Sequence, residues 1–115
     1  MKPFLFVVWC SDLNANKDFY QSIGFTLEEQ QHEGHDKHYS AQLGDMVFEL
    51  HQSNDTMQAS NNRLGFVVDN ELPDYDQTLE AIAELASATY DMGNGQWYSV
   101  VSDPDGRSVE LVYQK

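Results

Sequence analysis

Basic residues are scarce in this chain, and so is cysteine. Six Lys and Arg stand against 19 Asp and Glu, a formal net charge of -13. A protein that tracks a phosphate backbone needs a basic footprint, so nucleic acid is excluded as a partner. The single cysteine, Cys10, has no partner within the chain, which excludes an internal disulfide framework. It ends an apolar stretch with no cation beside it, so it reads as a small buried hydrophobe rather than a nucleophile. No apolar run approaches the roughly 20 residues of a membrane span. The run from Phe4 to Cys10 is too short for a secretory signal and is followed by Asp12, not by a small-residue cleavage site. The expectation is a soluble, cytoplasmic protein without a membrane partner.

What is present argues for a folded chain. With 115 residues, 41% of them hydrophobic and 12% aromatic, the sequence suffices for one core and one domain. Much of the acid lies in Asp69, Glu71, Asp74, Asp76, Glu80 and Glu84, which reads first as a solvated helix face with its approach loop. The same charge favours a cationic ligand.

The most ordered stretch is the last. Asp103-Pro104-Asp105-Gly106 has the residues of a tight turn, with Pro104 at its first corner and Gly106 supplying positive φ. The strand that follows alternates, Val109, Leu111 and Tyr113 on one face and Ser108, Glu110 and Val112 on the other. An earlier stretch, Leu43-Gly44-Asp45-Met46-Val47-Phe48-Glu49-Leu50-His51, repeats the plan: a Gly/Asp turn, then a strand with Glu-Leu at its centre. Two copies half a chain apart indicate a duplicated supersecondary unit.

The remaining elements fit that duplication. Phe4 to Trp9 reads as a strand. Asn14 is the expected cap of a helix with Ala15, Phe19 and Ile23 on its inner stripe, stopped by Gly24. Strands follow at 25–30, 39–43 and 46–51, and the polar residues 53–62 form a linker. The second half opens with a strand at 63–68 and continues with a helix whose apolar stripe is Tyr75, Leu79, Ile82, Ala83 and Ala86. Its strands lie at 89–92, 97–102 and 108–113. The order is β-α-β-β-β twice, module one spanning 1–52 and module two 63–115. One helix covers one sheet face, so the other face of each sheet needs a partner or lines a hollow.

Phe19-Tyr20-Gln21-Ser22-Ile23-Gly24-Phe25, Asp103-Pro104-Asp105-Gly106 and Val109-Glu110-Leu111 resemble signature stretches of the glyoxalase, bleomycin-resistance and ring-cleaving dioxygenase superfamily, the vicinal oxygen chelate proteins. The resemblance implies an α+β fold of paired βαβββ modules curled around a cleft, helices outside, in a homodimer. In the family's metal-dependent members one side chain from the first and fourth strand of each module holds a divalent ion. Matched motif by motif, those positions are Glu49 and Glu110 on the fourth strands and Leu5 and Arg63 on the first. Leu5 has no donor and Arg63 has no free lone pair, so the expectation is a metal-free cleft in which Arg63 sits between the two glutamates.

The alternation that places Leu5 in the cleft also places Val7 and Trp9 there, and His51 shares a face with Glu49. The expected ligand-binding set is Leu5, Val7, Trp9, Glu49, His51, Arg63, Trp97 and Glu110, with the two tryptophans as flat walls. His35 and His38 read as a solvated loop after Gly34. An alternative metal site of Glu49, Glu110 and His51 or His38 would suit zinc or nickel. Two functions follow: a metal-free protein binding a drug or metabolite, or a lyase or isomerase of glyoxalase type with Glu49 and Glu110 as catalytic bases on a carbon acid beside a carbonyl.

Overall fold

The computed structural model describes residues 1–115 and has α+β architecture: two four-stranded mixed sheets and two helices, neither sheet closed. Module one contains β1 (Leu5–Cys10), α1 (Leu13–Ser22), β2 (Glu28–Gln30), β3 (His38–Leu43) and β4 (Met46–Gln52). Module two contains β5 (Leu64–Val67), α2 (Tyr75–Leu85), β6 (Ala88–Gly93), β7 (Gln96–Ser102) and β8 (Ser108–Gln114). The sheet orders are β1-β4-β3-β2 and β5-β8-β7-β6. In each, the first strand runs parallel to the last and the other pairs are antiparallel. This is the βαβββ arrangement expected twice over.

Helix α1 starts two residues earlier than Asn14 as its cap would place it. Asp12, not Asn14, is its cap, the Asp12 carboxylate accepting from the Ala15 N–H at 3.1 Å. That phase turns Leu13, Asn16, Tyr20 and Ile23 inward and leaves Ala15 and Phe19 at the margin. In α2 the inner stripe includes Thr78 and Ile82, while Ala83 is exposed. Gly24, at φ +108, ends α1 where a Cβ would come within 3.1 Å of Leu72 and 3.2 Å of Thr78. Both the left-handed backbone and the close approach to module two require glycine there.

The core is one cluster drawn from both modules, including Val8, Tyr20, Phe48 and Leu50 from the first and Leu64, Ile82, Val101, Val109 and Leu111 from the second. Phe66 of β5 meets Phe25 and Phe48 edge-on, at ring-centroid distances of 5.0 and 5.7 Å. Such edge-to-face contacts are a favoured aromatic geometry.

The turn before β8 closes as expected, with the Gly106 N–H donating to the Asp103 carbonyl at 2.8 Å. Its next residue, Arg107, is completely buried. The Arg107 guanidinium donates to the Asp103 carboxylate at 2.7 Å, to the Asp105 carboxylate at 3.0 Å and to the Asn16 side-chain oxygen at 3.2 Å. It also donates to the backbone carbonyls of Trp9 and Ser60, at 3.0 and 2.9 Å. Tyr20 donates its hydroxyl proton to Asp103 at 2.7 Å, and Asp105 accepts from the Ser11 and Asn16 nitrogens. The network joins β1, α1, the linker and the β7–β8 turn. Burial pushes the Asp105 carboxyl up, but the bonds from Ser11, Asn16 and Arg107 outweigh it and hold the group below the usual carboxylate range.

Removing one partner of a buried charged network strands the others without water. Arg107→Ala is therefore expected to cost about 3–5 kcal/mol in chemical denaturation, whereas Lys2→Ala, which breaks an exposed pair with Asp45, costs less than about 1 kcal/mol. The depressed Asp105 pKa gives stability that is present above the ordinary aspartate range and lost as pH falls through and below it. Unfolding followed from neutral to acid pH should show that loss, and Asp105→Asn should be less stable at neutrality with a flatter acid limb.

Candidate functional site

The registers allow the modules to be compared position by position. Glu49 of β4 stands opposite Val7 of β1 and Ser40 of β3; Glu110 of β8 stands opposite Gly65 of β5 and Val100 of β7. Leu5 then corresponds to Arg63, Trp9 to Val67 and His51 to Val112. Tyr98 faces Val112 across β7 and β8, and His38 holds the matching place one step beyond the Tyr39–Leu50 pair. All these side chains lie on the sheet faces that the helices leave uncovered, because their strand neighbours Val8, Cys10, Phe48, Leu50, Val109 and Leu111 point into the core.

Module one gathers an imidazole and carboxylate cluster on this face. His51 Nε2 lies 2.9 Å from one Glu49 oxygen and His38 Nε2 lies 3.6 Å from the other. The His38 and His51 rings stack at 4.4 Å between centroids with planes 7° apart. Trp9 lies 5.0 Å beyond His51 and His32 lies 5.6 Å beyond His38, so four rings form a row. His38 is buried, which lowers its pKa, and neighbouring His51 lowers it further against the pull of Glu49. Trp9, His32, His35, His38, Glu49 and His51 are among the residues lining an open cleft of about 450 Å³.

Module two places different chemistry at the matching positions. Arg63 donates from both Nε, at 2.9 Å, and Nη2 to a single Glu110 oxygen. Its side chain is 73% exposed and that of Glu110 is 19% exposed. Hydrogen bonding from Arg63, then from Tyr98, holds the Glu110 carboxyl below the usual range. Arg63 thus neutralises Glu110 alone. It does not bridge the two glutamates, because Glu49 is engaged by His51 and His38.

Two further expectations change. Trp97 faces Tyr113 across β7 and β8, on the core side of the sheet and away from Glu110, with Lys115 Nζ 5.2 Å from its ring centre. Trp97, Ser99 and Val101 of β7 stand opposite the core residues Tyr113, Leu111 and Val109 of β8, so they turn inward. His38 is not in a solvated loop but is the first residue of β3, and it joins the Glu49 cluster. Its signal in the sequence was the alternation His38, Ser40, Gln42, which matches the outward residues of β4. Cys10 is buried as expected, and burial pushes its thiol up to about 12, where it is inert as a nucleophile.

A family model described as the Glyoxalase/Bleomycin resistance protein/Dioxygenase superfamily matches residues 4–111. The chain belongs to that superfamily. No curated protein matches it. Among solved structures, it is similar to TnmS3, an antibiotic binding protein from a Streptomyces species, at 28% identity and TM-score 0.63, covering 100% of this chain and 97% of that one. It is also similar to a glyoxalase/bleomycin resistance protein from Catenulispora acidiphila, at 18% identity and TM-score 0.67 over the whole of both chains. A lactoylglutathione lyase from Agrobacterium tumefaciens matches at 17% identity and TM-score 0.60, covering 97% of this chain and 92% of that one. The latter two likenesses speak for the fold alone.

The four-position metal set implied by the superfamily does not fit this chain. Leu5 presents hydrocarbon, Arg63 presents a permanent cation, and that cation already occupies the Glu110 carboxylate. Carboxyl-detected NMR should show Glu110 titrating below the ordinary glutamate range, and Arg63→Gln should return it toward that range. An unchanged titration in the variant would mean that Arg63 does not set it.

Proposed function

We propose that this superfamily member binds a small aromatic or cationic molecule, a drug or metabolite, without the metal ion that its metal-dependent relatives share between modules. The row of Trp9, His51 and His38 above the Glu49 carboxylate supports this reading most directly. Flat rings offer stacking area at low entropic cost, and a carboxylate beside them orients a cationic or hydrogen-bonding group. The cleft volume lies in the range of drug-sized pockets, roughly 300–1,000 Å³. Val7 and Leu5 extend the same face, and the high negative charge of the chain favours approach of a cation. TnmS3, an antibiotic binding protein, is similar over the full chain.

The proposal includes a homodimer. Leu5, Val67 and Tyr90 are exposed apolar residues on the uncovered faces, Val67 at 80%. A second copy laid against them would cover this surface and turn two open faces into walls of a cleft. Arg63 and Glu110 would then form part of the lining.

A lyase or isomerase remains the second reading, favoured by one observation. Glu49 and His51 form a hydrogen-bonded carboxylate and imidazole pair within the cleft, an arrangement able to take and return a proton. Glu110 serves this reading less well, because Arg63 keeps it a weak base.

A thermal-shift screen of flat aromatic cations against aliphatic controls tests the binding reading. At a hundredfold excess over Kd, a guest is expected to stabilise the protein by about 2.7 kcal/mol, several degrees in Tm. Trp9→Ala should abolish the shift. If the screen yields only turnover of an α-ketoaldehyde adduct, lost in Glu49→Gln, the enzyme reading takes its place. Sedimentation should give a dimer that Val67→Lys converts to monomer; a monomeric native protein would contradict the dimer.

A further inference from the structure

The geometry points to a divalent transition-metal site built entirely within module one, from His38, Glu49 and His51. The donor atoms of these three residues all lie within 4.8 Å of one another. A zinc ion needs nitrogen donors at about 2.0–2.1 Å and a carboxylate oxygen at about 2.0–2.2 Å, which brings bound donors to within roughly 4 Å of each other. His51 Nε2 and His38 Nε2 already stand 2.9 and 3.6 Å from the two oxygens of Glu49. Because an imidazole binds a metal in its own ring plane, the two stacked rings must turn out of parallel to aim both Nε2 atoms at one ion.

Three features make this a site rather than a chance meeting. The ligands come from adjacent strands in register, β3 and β4, so the sheet itself sets their spacing. His38 is 4% exposed, so its side chain has little freedom left to lose on binding. Two imidazoles and one carboxylate select zinc, nickel or ferrous iron over magnesium and calcium, which prefer all-oxygen shells. Three protein ligands leave coordination positions open toward the cleft, where a water or an oxygen or nitrogen of a guest would complete the shell.

The site differs from the superfamily's arrangement, in which both modules supply ligands. Here the matching residues of module two are Tyr98, Glu110 and Val112, and Arg63 neutralises the carboxylate. The consequence is one metal per chain, independent of how the modules of two copies meet. This goes beyond the guest-binding reading and does not rest on it, since metal uptake is read without any guest; with an ion bound, Glu49 is spent as its ligand, and a guest meets the ion's open position instead of a free carboxylate.

The test uses full-length protein without an affinity tag. Cobalt, nickel and zinc are titrated by isothermal calorimetry, and cobalt also by its visible absorption. The expected result is one ion per chain, with affinity falling by more than about a hundredfold in His51→Ala, beyond the loss typical of outer-shell partners. His38→Ala should do the same; because His38 is buried, its circular dichroism is checked, and His51→Ala carries the test if that variant does not fold. Glu110→Gln should change affinity less than about tenfold, less than a direct ligand would. Substoichiometric uptake by the native protein, unchanged affinity in His51→Ala, or a ligand-sized loss in Glu110→Gln would each overturn the assignment.

Discussion

The structure depends on a buried guanidinium. Arg107 spends every donor inside the protein, on two carboxylates, one amide oxygen and two backbone carbonyls, and so ties the turn before β8 to β1, α1 and the linker. No buried side-chain nitrogen or oxygen lacks a partner. That completeness matters, because taking a charge out of water costs several kcal/mol, and only a fully bonded network offsets it. The network and the contact of Phe66 with Phe25 and Phe48 hold module two against module one at two separate points.

On this common scaffold the uncovered sheet faces of the two modules differ. The two modules share backbone plan, register and a central glutamate, yet their cleft positions carry opposite chemistry. Module one pairs its glutamate with two imidazoles and a tryptophan, hydrogen-bonding and stacking groups. Module two pairs its glutamate with a guanidinium, which leaves little net charge to offer a ligand. The half of the molecule suited to recognising a guest or an ion is therefore the first, and the second contributes surface and a partly spent ion pair.

The fold was legible in the sequence because turn chemistry and strand alternation agree. Gly44-Asp45 and Pro104-Asp105-Gly106 mark the last hairpin of each module, and Val109, Leu111 and Tyr113 alternate inward as written. The candidate site was legible only in part. Glu49 and His51 follow from alternation on one strand. His38 requires knowing where β3 begins, and the polar run before it hides that start. Trp97 misleads for a different reason: alternation with Ser99 and Val101 turns it toward the core, and its aromatic character alone does not say which face it takes. Arg107 was invisible, because an arginine beside a turn of aspartates looks solvated, and its burial depends on residues some 90 positions away in Trp9 and Asn16.

In the binding mode proposed above, the guest meets the uncovered face of module one. The chain has two tryptophans, one on each kind of surface, so a proton–nitrogen NMR spectrum contains two indole signals. On titration with a flat aromatic cation, the Trp9 signal should move progressively to saturation while that of Trp97, turned toward the core beside Tyr113, stays in place. Movement of Trp97 with Trp9 unmoved, or no movement of either with any compound that stabilises the protein, would contradict it.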